Sequence, residues 1–415
     1  MEFNFDKIID RSRWYAKKYI KMNDTFGRDD IIPLWIADMD FESPKCVQEE
    51  LHRISDFDAY GYFCEPAEYR DSIIDWYKTE YGWTLEREWI NFVPGLIHAL
   101  AHAVYALPKE GDKLLVQKPV YNSFFDLPLA NGRQIVDAPL TEIEEPVEKG
   151  AAHYRMNLEL LEKVLCENEA GGAPVKLMIL CNPQNPIGVN WTREELTGLA
   201  KCCHAHDVTV ISDESFCDLQ LWGNRHIPFA TVCPEAAQIC VTFATPTKTF
   251  NLSGLVTSFA IISNPELRER YFHFLDINEF NYPVFFSMMP SIAAFRKGKP
   301  WLEALLKYIE GNVEYFEKMC EDFTDENGIP YILPQRPQNS YLVWTDCRHL
   351  LCRLTGKSRG ELEAKDQDVL VDYFVNRVGI GLKNGLAYGP QCVGFMRTNL
   401  AVSRSVLKTI KFLEP

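Results

Sequence analysis

Between residues 90 and 263 short apolar runs alternate with longer amphipathic stretches, the pattern of strands and helices taking turns in an α/β domain. The apolar runs predict strands at Ile90–Val93, Lys113–Gln117, Val175–Cys181, Val208–Asp213, Gln238–Ala244 and Val256–Ser263. Pro94-Gly95 breaks the first, and Leu96, Ile97, Leu100, Ala101, Val104 and Leu107 then recur at the helical period. Thr192 with Glu195 three residues on forms a capping box, so a helix is expected from there to about Asp207. The polar stretch Leu140–Tyr154 reads as a surface excursion. After about residue 290 the pattern turns helical (Trp301–Met319), then gives a strand at Ser340–Thr345 and a helix near Asp366–Asn376. This predicts a large domain over 46–289 and a smaller α+β domain made of 1–45 and 290–415.

With 415 residues, 47% hydrophobic and 24% charged, the chain is long enough to divide its core between two domains. Lys and Arg number 43 against 58 Asp and Glu, a net charge of -15, so the overall field repels phosphate backbones and anionic membranes. Neither nucleic acid nor a membrane is expected as a partner. No uninterrupted apolar run of about 18 residues occurs, and the start (Met1, Glu2, Phe3, Asn4, Phe5, Asp6) lacks a basic segment followed by an apolar one. A cytoplasmic location is the expectation. The 13 cysteines are odd in number and scattered, as reduced core thiols would be. Cys202, Cys203, His204 and His206 cluster, but their spacing fits no usual zinc signature, and adjacent cysteines on a helix point about 100° apart. No metal is expected.

In an open α/β sheet, ligands bind beyond the carboxyl ends of the strands, so polar residues just past an apolar run carry the information. Five such places stand out. Pro94-Gly95-Leu96-Ile97 opens a helix with free N–H groups, which suits an anion or is simply a turn. Lys118-Pro119-Val120-Tyr121 puts an aromatic ring at a strand end, for packing or for stacking. Cys181 to Gly188 holds two Asn-Pro pairs, an irregular turn that can aim the Asn185 amide inward. Ser212-Asp213-Glu214 places an acid after an apolar run, either as a helix cap or as the counter-charge to a buried cation. Phe243 to Asn251 sets Lys248 among hydroxyl residues, where a solvated surface charge is the plain alternative. Taken together they supply a lysine for a Schiff base, an acid for a protonated ring nitrogen, and an anion-binding helix start with hydroxyls. An amide and an aromatic ring complete what pyridoxal phosphate needs.

Eight segments then match one family in order: Ile32–Phe41 (IPLWIADMDF), Tyr60–Tyr62 (YGY), Asn91–Gly95 (NFVPG), the paired Asn-Pro turn, Ser212–Glu214 (SDE), Thr247–Gly254 (TKTFNLSG), Asn339–Trp344 (NSYLVW) and Gly394–Asn399 (GFMRTN). Through them nearly the whole chain resembles fold-type I pyridoxal-phosphate enzymes, and within these the cystathionine β-lyase branch of the class I/II aminotransferases. The resemblance implies an α/β large domain with a mostly parallel, mixed seven-stranded sheet between helices. It implies that Lys248 binds the cofactor covalently and shuttles protons at the substrate Cα, and that Asp213 keeps the pyridine nitrogen protonated. Asn185 is implied to bond the phenolic oxygen, Tyr121 to stack on the ring, and Thr245 and Thr247 with the Gly95 and Leu96 amides to hold the phosphate. Arg397 is implied to clamp the substrate α-carboxylate, with Ala37 and Asn185 beside it. Tyr62 is implied to reach into the neighbouring subunit's site, hence a homodimer with shared active sites.

The activity so implied is β-elimination from cystathionine or another cysteine S-conjugate, giving a thiol, pyruvate and ammonia. An aminotransferase is the alternative, and a catalytically inert binder or regulator is a third reading, against which the intact polar set argues. Four departures from the family pattern point to a divergent, bulkier or more aromatic substrate. Ser215-Phe216 stands where the family has Ile-His, Arg13–Tyr19 (RWYAKKY) replaces Thr-x-Ser-x-Lys-Trp-Asp, Phe63 replaces Thr, and Ser403 replaces Pro.

Overall fold

The computed structural model describes residues 3–143 and 148–415. Its largest sheet contains β1 (Ile90–Val93), β2 (Lys113–Val116), β3 (Gln134–Asp137), β4 (Val175–Cys181), β5 (Thr209–Asp213), β6 (Cys240–Ala244) and β7 (Ser258–Ile261). Their order is β1-β7-β6-β5-β4-β2-β3, and only β7 runs antiparallel to its neighbours. The sheet is seven-stranded, mixed and mostly parallel. β5 and β6 are buried at nearly every position, because helices cover both faces and leave no side to alternate toward water. Helices Leu96–Ala106 and Pro265–Ile277 pack on one face, Leu158–Ala170 and Arg193–Ala205 on the other.

A second, five-stranded sheet runs Ile32–Leu34, Ile380–Asn384, Phe395–Asn399, Leu342–Asp346, Leu333–Gln335, its first pair parallel and the rest antiparallel. The N-terminal segment therefore completes a sheet whose other strands come from the last hundred residues. One apolar core runs from this sheet through helices Ala67–Tyr81, Phe285–Lys297 and Lys299–Glu321 to Phe92 and Phe259 of the large sheet. No helix among the described residues is long and apolar enough to cross a membrane.

The predicted elements shift where the backbone turns. Val256 has φ 49° and Ser340 φ 66°, left-handed values that no strand accommodates, so β7 starts at Ser258 and the Ser340–Thr345 strand at Leu342. Pro234 initiates a helix through Ile239, which takes the first residues expected in β6. The Thr192 capping box forms as read, and the helix stops at Ala205, with Asp207 at φ 54°. The helix near Asp366 begins at Gln367 and loosens into a π-helical turn over Tyr373–Val378. Within the Leu140–Tyr154 excursion, Thr141–Glu142 pairs with Tyr154–Arg155, while residues 144–147, like Met1 and Glu2 at the start, lie outside the described residues.

Candidate active site

A cavity of about 290 Å³ opens where the carboxyl ends of β4, β5 and β6 face the smaller sheet. The register makes this a shared edge: Cys181 pairs with Asp213 and Asp213 with Phe243, so three strands end side by side. Ala37, Leu96, Tyr121, Asn185, Asp213, Thr245, Thr247, Lys248 and Arg397 all line it.

Asp213 is the last residue of β5 and is buried. The Ser215 N–H donates to its Oδ1 at 3.0 Å, but a turn follows over residues 215–218 and not a helix, so this acid caps no helix. No cation pairs with the carboxylate among the described residues, and burial pushes its pKa up to about 6. The adjacent acid does something else. Glu214 accepts from Ser212 Oγ, the Phe229 N–H and His226 Nε2, each at 2.9 Å, so its oxygens are used away from the cavity. Asp213 alone offers a buried negative charge there.

Lys248 follows β6 on the short helix Pro246–Thr249, capped by Thr245, whose Oγ1 accepts from the Thr247 N–H at 3.1 Å. Its Nζ donates to the Ala37 carbonyl at 2.7 Å. Burial draws its pKa down to about 8, with Asp38 and Asp213 opposing and Arg397 reinforcing the shift. An amine so lowered spends a usable fraction of its time neutral and nucleophilic near neutral pH. Thr245 Oγ1 also lies 2.6 Å from the Thr257 carbonyl, to which it donates, and 2.8 Å from Thr247 Oγ1.

Arg397 sits in the strand Phe395–Asn399, only 4% exposed. Nη1 donates to Asn185 Oδ1 at 3.1 Å and Nη2 to the Trp35 carbonyl at 2.9 Å, while Nε has no partner. A buried N–H left unmet is costly unless a ligand completes it, and a carboxylate is the group that fits a guanidinium edge. The carbonyls that meet Arg397 and Lys248 belong to a segment fixed from both sides. Arg11 bridges Asp38 (2.6 Å) and Asp40 (2.5 Å), fully buried Lys18 reaches Asp40 at 2.8 Å, and Asn399 Nδ2 holds the Ile36 and Asp38 carbonyls.

Gly95 has φ 88°, and a Cβ there would come within 2.9 Å of Val256 Cγ1, so glycine is required. The helix that starts at Leu96 directs its free amides to the cavity edge, a ready anion site. Tyr62 is not part of the cavity within one chain; its ring is 95% exposed and lies against Tyr282. Phe216 does line the cavity, packed edge-on to Tyr341, so no imidazole takes that place.

Residues 29–409 match the family described as aminotransferase class I and II. The chain belongs to that family. It is 36% identical to cystathionine beta-lyase PatB of Bacillus subtilis over 405 residues, 98% of this chain and 97% of that one. Against protein MalY of Escherichia coli it is 29% identical over 410 residues, covering 98% and 96%. Among solved structures, cystalysin from Treponema denticola, which contains pyridoxal phosphate, superposes with a TM-score of 0.86 at 26% identity, covering 98% and 96%. The pyridoxal-phosphate-bound C–S lyase from Staphylococcus hominis does so at 0.84 and 27%, covering 99% and 96%. The fold is therefore that of fold-type I pyridoxal-phosphate enzymes, and the cofactor is pyridoxal phosphate.

The residues fit this group on their own chemistry. An unpaired buried acid awaits a ring N–H, a lowered amine awaits an aldehyde, and a glycine-led helix start awaits a phosphate. Lys383 and Tyr388 also line the cavity without having been singled out from the sequence, as do Lys17 and Trp35, which stood out there only as parts of Arg13–Tyr19 and Ile32–Phe41. Lys383 is the last residue but one of the strand Ile380–Asn384, and Gly379 and Gly381 break the apolar run that would have revealed it.

Proposed function

We propose that this chain is a pyridoxal-phosphate-dependent C–S β-lyase that converts cystathionine or another cysteine S-conjugate into a thiol, pyruvate and ammonia. The observation that carries it is the convergence of Lys248, Asp213 and the incompletely paired Arg397 on one cavity, in a chain whose 36%-identical relative is a cystathionine beta-lyase. When bound, the cofactor supplies an electron sink for the bond between Cα and its hydrogen.

The chain's own residues do the rest. Arg397 Nε and its remaining Nη hydrogens grip the α-carboxylate and set which Cα bond faces Lys248. Lys248 Nζ, with its lowered pKa, takes the Cα proton. Asp213, buried and acceptor-only when ionised, holds a proton on the ring nitrogen in place. Asn185 Nδ2 would donate to the cofactor's phenolic oxygen, and the Tyr121 ring would stack on the cofactor ring. With the Cα proton removed, the Cβ–S pair leaves with the sulfur, which takes up a proton to become the thiol. Water then releases the remaining three-carbon fragment as pyruvate and ammonia, so atoms and charge balance.

The same reading takes the protein as a cytoplasmic homodimer with a large domain over 46–289, in which Tyr62 completes the partner's cavity. Its support is the exposure of Tyr62 and of Tyr282, which it packs against, with Phe57 and Tyr60 exposed nearby in sequence, apolar surface that a partner would cover. The test is a product assay with L-cystathionine and a panel of cysteine conjugates and amino acids. Stoichiometric pyruvate supports the lyase. A 2-oxo acid retaining the substrate's carbon skeleton, formed with pyridoxamine phosphate, overturns it in favour of the aminotransferase, and no product at all makes the chain an inert binder.

A further inference from the structure

The cavity carries more positive charge than an α-carboxylate needs. Lys17, on the N-terminal arm, and Lys383, the last residue but one of strand Ile380–Asn384, both line it, and among the described residues neither makes an ion pair or a side-chain hydrogen bond. Lys383 is half-buried and lies directly across the sheet from Arg397. Its ammonium is disfavoured first by burial and then by Arg397 and Lys17, so the three cations stand within electrostatic reach of one another. The acid nearest in influence, Asp126, is bonded to Asn122 instead. Crowding cations without a counter-ion is unfavourable, and a ligand's negative charge is what would relieve it.

We propose that Lys17 and Lys383 form a subsite for an anionic group at the far end of the substrate. The preferred conjugates then carry a carboxylate or similar charge beyond the sulfur. The proposal rests on the lyase reading and narrows its substrate. The assay compares S-(2-carboxyethyl)-L-cysteine with S-propyl-L-cysteine, near in size and different in distal charge. Wild type should favour the anionic conjugate by about 10- to 100-fold in kcat/KM, the range of a charge-assisted contact. Lys383→Met should erase that ratio and Lys383→Arg should keep most of it. Equal kcat/KM values in wild type, or a ratio unchanged in Lys383→Met, would overturn the subsite. If neither conjugate yields pyruvate, the lyase reading fails separately. Titrating the holoenzyme's cofactor absorbance with the same pair then decides the subsite, with equal affinities refuting it and a preference lost in Lys383→Met sustaining it.

A different observation carries a second inference. Helices Leu158–Ala170 and Arg193–Ala205 lie side by side on the outer face of the large sheet. Each contributes two ligand-type side chains four residues apart, Glu162 and Cys166 from the first, Cys202 and the capping residue His206 from the second. His206 Nε2 lies 3.1 Å from Glu162 Oε1, Cys166 Sγ lies 3.7 Å from that oxygen and 3.9 Å from Nε2, and Cys202 Sγ is 3.1 Å from Glu162 Oε2. Ligand atoms around tetrahedral zinc are separated by roughly 3.3–3.8 Å, given the usual bond lengths. Glu169 Oε2 takes the other ring nitrogen of His206 at 3.0 Å, the carboxylate partner that orients metal-bound histidines. Cys203, by contrast, is buried against Met178.

The geometry points to a structural site for zinc or another thiophilic divalent cation on Glu162, Cys166 and His206, with Cys202 hydrogen-bonded to the other oxygen of Glu162 beside it. Binding releases the Cys166 thiol proton to solvent and moves no electrons. The experiment titrates chelator-treated holoenzyme with zinc chloride by calorimetry. One tight equivalent is expected, weakened at least about 100-fold in both Cys166→Ser and His206→Ala, whose changed side chains lie on helix surfaces away from the cavity. Absence of a tight equivalent, or one retained in both variants, would overturn the site.

Discussion

Replacing Arg397 by lysine separates two energies that the structure assigns to different atoms. The guanidinium spends Nη1 on Asn185 Oδ1 and Nη2 on the Trp35 carbonyl, and keeps Nε free. Lysine delivers one compact charge and no fork, so the substrate carboxylate loses one charge-assisted hydrogen bond, about 1.5–3 kcal/mol. That is roughly 10- to 100-fold in kcat/KM, and it should appear mainly as a higher KM. Independently of substrate, either Asn185 Oδ1 or the Trp35 carbonyl loses its donor in a buried place, which should lower stability by about 1–3 kcal/mol. The assay is steady-state ethanethiol release from S-ethyl-L-cysteine and from its carboxamide, which leave pyruvate and pyruvamide respectively, with urea unfolding of both proteins alongside. The KM effect should shrink for the carboxamide, while the stability loss is indifferent to substrate. A KM within threefold of wild type for the acid, or an equal effect on acid and amide, would refute the assignment of Nε to the carboxylate.

Four further outcomes follow from the same geometry. Lys248→Ala should lose the visible absorption band of bound cofactor and all turnover; a surviving band after dialysis would place the cofactor on another lysine. Asp213→Ala should keep some cofactor yet lose turnover by about a thousandfold or more, the scale of a removed electrostatic partner, and near-normal rates would dismiss it from the mechanism. For the cofactor-free protein, Lys248 folds with its pKa lowered from 10.5 to about 8, so protonated lysine costs folding up to about 3 kcal/mol below pH 8, a cost that fades as pH rises toward 10.5. Lys248→Met should therefore raise the urea midpoint at pH 7 and raise it less at pH 9.5; a constant or negative shift would show that the amine is not desolvated. Tyr62→Ala should leave a sedimenting dimer intact while lowering kcat/KM about tenfold, and a fully active monomer would contradict the shared site.

Much of this site was legible because β4, β5 and β6 are buried on both faces. Such strands read as unbroken apolar runs, and the short polar stretch after each run marks the ligand edge. Asn185, Asp213 and Lys248 each lie in such a stretch, behind Asn182, Ser212 and Thr245, and Gly95 marks the helix that closes the same edge. The smaller sheet obeys different physics. Its strands are short and lie in a mixed sheet, with Gly381 and polar Arg397, Thr398 and Asn399 inside them. No run announces Arg397, which only the family resemblance indicated; Lys17 was marked only through the divergent Arg13–Tyr19 segment, and Lys383 had no signal of its own. The strand Gln134–Asp137 was invisible for a related reason: it is an edge strand with two apolar residues and no buried face. The zinc-type ligands were judged within one helix, whereas the structure brings Glu162 and Cys166 of one helix to His206 at the end of another, forty residues beyond Cys166.

The claim on which the rest depends is that the cofactor is joined to Lys248. Borohydride reduction of the holoenzyme, followed by proteolysis and mass mapping, reads this directly. The pyridoxyl mass should lie on the peptide containing Lys248 and on no other. Its appearance on Lys17, Lys383 or any other lysine, with Lys248 unmodified, would contradict the account.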